Sequence, residues 1–198
     1  MKPVQIGIIG LGTVGTGTVN LLNNNAEEIT RRAGRQIRIR AVAVNDTTKQ
    51  RACDTKEFRL TGDPFEVTDD PQIDLIVELM GGESTARDVA LRALDHGKHI
   101  VTANKALVAI HGNEIFDVAM KRGLVVAFEA AVAGGISIIK VLREGLTGNR
   151  IERVIGIVNG TTNFILSEMH KNSNPFSRVL EEAQRLGYAE SDPSFDVE

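Results

Sequence analysis

The stretch "VQIGIIGLGTVGTGTVNLL" limits the fold more than any other part of the chain. Val4, Ile6, Ile8 and Ile9 form a β-branched run of the length and character of a buried parallel strand. After Gly15, the apolar residues Val19, Leu21, Leu22 and Ile29 ride on a long, otherwise polar helical segment. Between the two lies Gly10-x-Gly12-x-x-Gly15. In a strand-turn-helix setting each glycine has its own physical task. The first permits the tight turn, the second lets a pyrophosphate approach bare backbone, and the third lets helix and strand pack closely. The phosphates then meet the unpaired N–H groups and the positive dipole end of the helix. A glycine-rich turn without a ligand has the same local look, so the flanks carry the weight of the dinucleotide reading.

The second strand reads "IRIRAVAV", residues 37–44, and runs into Asn45-Asp46. An acidic residue at this strand end holds a ribose 2′-OH in NAD-binding folds. Asp46 falls later than that template because "NNNAEEITRRAGRQ" lengthens the first crossover. Lys49 and Arg51 follow closely and suit a 2′-phosphate instead. The choice between NAD and NADP stays open at this level, as does a plain solvated loop.

The alternation continues with a strand at 73–80 ending at Gly81-Gly82, and a helix at 84–97 with Ser84 as N-cap and Gly97 as its stop. A strand at 98–103 ends at Asn104-Lys105, a helix covers 112–123, and a strand covers 124–130. Strands alternating with helices predict an α/β fold, a doubly wound parallel sheet of Rossmann type. Ligands then sit outside the carboxyl ends of the strands. Gly10 to Gly15, Gly81-Gly82, Asn104-Lys105 and Glu129 are therefore expected along one crevice. Past residue 130 the texture changes to small residues and glycine, then a helix, a partly alternating strand "NRIERVIGIVNG" and two more helices. The expected division is a dinucleotide-binding domain at 1–130 and the beginning of an α+β substrate and dimerisation domain at 131–198.

Composition removes other classes. A formal net charge of −3 provides no basic field for nucleic acid. No apolar run approaches a membrane span, and the first residues do not read as a secretory signal, so a cytoplasmic chain is expected. Cys53 is the one cysteine, in a charged loop, which argues against an aldehyde dehydrogenase working through a thioester. His96 and His99 flank a helix-strand junction where imidazoles cap backbone, His111 and His170 have no evident partner, and Phe116 and Phe164 fall at core spacing.

Taken together, "GIIGLGTVG", "VELMGG", "TANKAL", "FEAAVAGGI", "GIVNGTTNFIL" and "GYAESDP" occur in an order that resembles the homoserine dehydrogenase family. The resemblance covers nearly the whole length, and "GIVNGTTN" with "TANKAL" is its specific part. It implies NAD(P)-dependent interconversion of L-homoserine and L-aspartate 4-semialdehyde, in threonine and methionine biosynthesis. By position, it assigns Gly10, Gly12, Thr13, Val14 and Gly15 to the cofactor's pyrophosphate and ribose, Gly81 to the nicotinamide side and Lys105 to the hydride-transfer site. It assigns Gly187 and Glu190 to the substrate, the carboxylate facing the homoserine ammonium. Glu129, Val132, Gly134 and Ile136 align with a structural Na+ site, and the family implies a homodimer formed through the second domain. The family motif carrying an aspartate and a further lysine follows "DVE", where this sequence stops at Glu198. The expectation is thus a truncated form with an intact nucleotide site. The rival readings are another two-domain NAD(P) oxidoreductase and a non-catalytic nucleotide-sensing module.

Overall fold

The structure, a computed structural model, describes residues 1–157, 159–189 and 193. Strands β1 (Val4–Ile9), β2 (Ile37–Ala43), β3 (Arg59–Thr61), β4 (Leu75–Glu78), β5 (His99–Thr102) and β6 (Val126–Ala127) form one sheet. Its order is β3-β2-β1-β4-β5-β6, and every pairing is parallel. This is the doubly wound Rossmann arrangement anticipated from the alternation. The strand order reverses at β1, whose Ile9 is in register with Ala43 on one side and Glu78 on the other. The carboxyl ends of β1, β2 and β4 therefore finish level and open a crevice at the switch point.

Strand side chains alternate between two cores. Ile6, Ile8, Val42 and Val77 join Val19 on one face, while Ile9, Ala41, Ala43, Ile76 and Ile100 join Val89, Leu94, Leu107 and Ile115 on the other. A parallel strand covered on both faces by helices must be apolar at successive positions, and that is what the β-branched runs supply.

The connecting elements differ from expectation in instructive ways. The long first helix is two: α1 (Thr13–Asn24) and α2 (Ala26–Ala33), parted at Asn25. Val19 is fully buried, whereas Leu21 is exposed. The short strand β3 and helix α3 (Pro64–Asp69) leave no sequence period, because three and six residues are too few to show one. Helix α4 (Ser84–Asp95) is preceded by Glu83 at the cap position, so Ser84 is inside the helix rather than its cap; Gly97, at φ +74°, follows the stop. Helix α5 (Lys105–Lys121) starts seven residues before the expected 112. The Asn104 carboxamide oxygen accepts the Leu107 N–H at 3.0 Å and caps it. The strand expected over 124–130 is reduced to β6, followed by a 3-10 turn at Glu129–Ala131. His96 and His99 behave as junction residues: a ring nitrogen of His96 lies 2.8 Å from the Arg92 carbonyl, and His99 Nδ1 accepts the Val125 N–H at 3.0 Å.

The chain divides into two compact units, 1–147 and 148–198. The division falls later than the texture change at 130. The Glu129 carboxylate accepts the N–H groups of Ile139 (2.9 Å) and Lys140 (2.7 Å), tying the short helix α6 (Ile138–Lys140) to the sheet's end. In the second unit, helices α7 (Gly160–Asn172) and α8 (Phe176–Leu186) pack through Ile165, Val179 and Ala183. The expected strand in "NRIERVIGIVNG" is absent from its described residues, and Ile155 and Ile157 stand exposed. A strand satisfies its backbone groups only against a neighbour, and no described residue of this unit is in a strand.

Candidate functional site

The three glycines separate cleanly by geometry. Gly10 has φ +98°, and a Cβ there would lie 2.7 Å from the Leu79 carbonyl oxygen. A Cβ on Gly15, in α1, would collide with the Gly10 carbonyl oxygen. A Cβ on Gly12 would meet nothing within 4 Å. The first and third are thus demanded by the protein's own packing, and the second faces empty space. That space is the mouth of α1. Gly12 stands at its cap position with no side-chain cap, and Thr13 and Val14 at its start are exposed. The first N–H groups of a helix need partners from outside it. An uncapped start beside side-chain-free backbone fits a diphosphate held by amide hydrogens.

Next to it lies a cleft of about 530 Å³ lined by residues including Gly10, Gly12, Asp46, Lys49, Arg51 and Gly81. Gly62 and Pro64 complete one wall; Gly62 lies in the turn after β3 and Pro64 opens α3. Asp46 Oδ1 accepts the Thr48 N–H (2.8 Å), the Thr48 hydroxyl (2.7 Å) and the Lys49 N–H (3.2 Å). The Thr48 hydroxyl and N–H bonds hold its carboxyl below the usual carboxylate range. Arg51 bends back to donate to the carbonyls of Lys49 (2.7 Å) and Asp46 (2.5 Å). Lys105 is the first residue of α5 and is exposed. It and Glu129 follow β5 and β6 on the same edge of the sheet but do not line this cleft.

Behind the edge lies a polar cluster that sequence reasoning missed. Glu78, the last residue of β4, is fully buried. Its Oε1 accepts the Met80 N–H at 2.9 Å, and its Oε2 accepts the Thr102 hydroxyl at 2.5 Å. The Asn104 N–H donates to Thr102 Oγ1 at 3.0 Å. The Asn104 amide nitrogen donates to the carbonyls of Gly82 (2.7 Å) and Met80 (3.3 Å). The available signal was a carboxylate inside the apolar run "LIVELM", since a charged residue in a covered strand has to be satisfied internally. Burial pushes the Glu78 carboxyl above its ordinary 4.5, opposed in part by the bonds from Thr102, Met80 and Asn104. The native chain then retains a proton over a pH range where the unfolded chain has lost it. This contribution to stability is complete below 4.5 and disappears as pH rises through the elevated value. Glu78→Gln is expected to flatten that segment of the stability curve, read as urea midpoints from acid to neutral pH. An unchanged slope would remove Glu78 as its source.

In the second unit, Gly187 (φ +79°) ends α8, and the Thr161 hydroxyl donates to the Tyr188 carbonyl at 2.5 Å. The start of "GTTN" and the "GYA" turn are thereby held together. Glu190 lies outside the described residues. Val132, Gly134 and Ile136 occupy the loop after the 3-10 turn, where the Ile136 carbonyl accepts the Ile138 N–H at 2.8 Å.

The family model described as "Homoserine dehydrogenase, NAD binding domain" matches residues 10–129, and "Homoserine dehydrogenase" matches 138–198. The chain belongs to the homoserine dehydrogenase family. A homoserine dehydrogenase of Pseudomonas aeruginosa is 58% identical over 198 residues, covering 100% of this chain and 45% of that protein. The crystal structure of a homoserine dehydrogenase from Thiobacillus denitrificans superposes with a TM-score of 0.93 at 59% identity, over 100% of this chain and 46% of that one. A hyperthermophilic archaeal homoserine dehydrogenase mutant, solved in complex with NADPH, matches with a TM-score of 0.82 at 26% identity, over 99% of this chain and 65% of that one. The chain thus spans a little under half the length of its near homoserine dehydrogenase relatives. Among the described residues, no helix is long and apolar enough to cross a membrane.

Proposed function

We propose that this chain carries the dinucleotide site of an enzyme interconverting L-homoserine and L-aspartate 4-semialdehyde. The observation that carries the reading is the open space at Gly12 before an uncapped helix, in a member of this family. When bound, the nicotinamide cofactor supplies the hydride acceptor. The residues supply position and charge. Backbone N–H groups from Gly12 to Gly15 hold the pyrophosphate, with Thr13 and Val14 beside the ribose. Gly81 leaves room on the nicotinamide side. Lys105 acts through its Nζ on the reacting oxygen of the substrate: protonated, it polarises the aldehyde oxygen; neutral, it accepts the hydroxyl proton. Gly187 and Glu190 receive the homoserine ammonium. A structural Na+ at Glu129, Val132, Gly134 and Ile136 and a homodimer belong to the same reading and rest on the resemblance, whereas the domain division near 130 and a cytoplasmic location rest on the sequence's change of texture and its composition.

Of the two cofactors, the loop after β2 favours NADP(H). Asp46 Oδ1 accepts three bonds within its own loop and Arg51 braces that loop, while Lys49, which also lines the cleft, is a cation suited to a 2′-phosphate. The archaeal relative's NADPH is consistent with this. Calorimetric titration with each dinucleotide is the test. NADP+ is expected to bind more tightly than NAD+, and Lys49→Ala to weaken NADP+ by about tenfold while sparing NAD+. Tighter NAD+ than NADP+ would reverse the assignment, and binding of neither would refute the site.

A further inference from the structure

The Glu78 cluster ties together two segments at the carboxyl edge of the sheet that the chain keeps far apart. From Glu78, one branch runs to the Met80 N–H, just before Gly81. The other runs through the Thr102 hydroxyl to the Asn104 N–H, just before Lys105. The Asn104 side chain closes the circuit, donating to the Met80 and Gly82 carbonyls while capping α5 at Leu107. We propose that Glu78 is a positioning residue that sets the Gly81–Gly82 loop and the first turn of α5 as one unit, and so orders the nicotinamide half of the site alone.

This rests on the dinucleotide reading above. A dinucleotide lies across the switch point, so its two halves meet strand ends on opposite sides of β1. Asp46 follows β2 on one side, while the partners of the Glu78 side chain among the described residues belong to β5 and the loops after β4 and β5 on the other. The choice of residue is informative. A leucine would fill the same buried volume without the desolvation cost of a carboxyl group. A carboxyl group with two acceptor oxygens can instead take a backbone N–H from one loop and a hydroxyl from the next strand at the same time. Among the described residues, the groups facing it are the Thr102 hydroxyl, the Met80 N–H and Asn104, and none of them is charged. Its role is therefore geometric alignment through hydrogen bonds and not charge pairing.

The experiment compares a whole dinucleotide with its own adenine half. Whichever of NADPH and NADH binds this chain more tightly is titrated against 2′,5′-ADP or ADP respectively. Glu78→Ala and the near-isosteric Thr102→Val are measured alongside circular-dichroism melting. We expect both variants to lose about tenfold in dinucleotide affinity and to keep adenine-half affinity within about twofold. Glu78→Gln should recover most of the loss, because its amide still accepts from Met80 and offers an N–H to the Thr102 oxygen. Should Glu78→Ala fail to fold, Thr102→Val carries the test. Equal weakening of both ligands would make the cluster a general fold support, and no weakening of either would leave it without a role; each outcome overturns the proposal. Wild-type chain that binds neither ligand would overturn the dinucleotide reading first, and this inference with it.

Discussion

Gly12→Val is expected to leave the chain folded and to abolish dinucleotide binding. The backbone at Gly12 has an ordinary negative φ of −79°, and a Cβ would meet nothing within 4 Å, so the substitution neither strains the turn nor crowds the core. The isopropyl group instead occupies the space in which a pyrophosphate would contact bare backbone. Phosphate oxygens pushed beyond hydrogen-bond distance of the α1 N–H groups lose several charge-assisted bonds at once. Each is worth about 1.5–3 kcal/mol, so affinity should fall by a hundredfold or more. Calorimetry with NADP+ and NAD+, paired with a thermal melt, is the measurement. A variant that bound as tightly as the parent would mean that the diphosphate is held elsewhere. A variant that unfolded would mean that the space is not free.

Gly15→Ala, three residues on, should do the opposite. Its Cβ would collide with the Gly10 carbonyl oxygen, a backbone atom that cannot rotate away. Gly10 is itself constrained, with φ +98° and its N–H donated to the Ala43 carbonyl at 2.9 Å. Relief therefore requires α1 to move off β1 and to disturb the packing of Val19, which is fully buried. Overpacking of this kind costs about 1–3 kcal/mol and sometimes more. Urea unfolding should show that loss of stability, with ligand affinity reduced only as a consequence. A Gly15→Ala chain as stable as the parent would show that helix and strand are not in the close contact described. The two substitutions together separate the ligand's requirement for glycine from the fold's.

Much of this site can be read from local pattern. A β-branched run, three glycines at fixed spacing and a helical period each act over fewer than ten residues. The separate tasks of Gly10, Gly12 and Gly15 are accordingly legible in the local sequence. The same holds for the alternation that implies parallel strands, since a parallel pair requires a crossover. Other features escaped because their physical cause is distant in sequence. The start of α5 is set by Asn104, whose amide is oriented by carbonyls of Met80 and Gly82 more than twenty positions earlier. The break at Asn25 and the three-residue strand β3 are too short to leave a period.

What the amino-acid order established was the kind of protein: an α/β chain with open space left by glycine at the start of its first helix, because backbone conformation and steric room at a turn depend on the residues of that turn. What required the folded chain was the partnership behind that gap. Glu78 and Thr102 are twenty-four positions apart, and nothing in either local segment shows that a buried carboxyl and a hydroxyl will meet. Their contact exists because β4 and β5 pair in parallel with Glu78 opposite Thr102, a register fixed by the packing of the whole sheet.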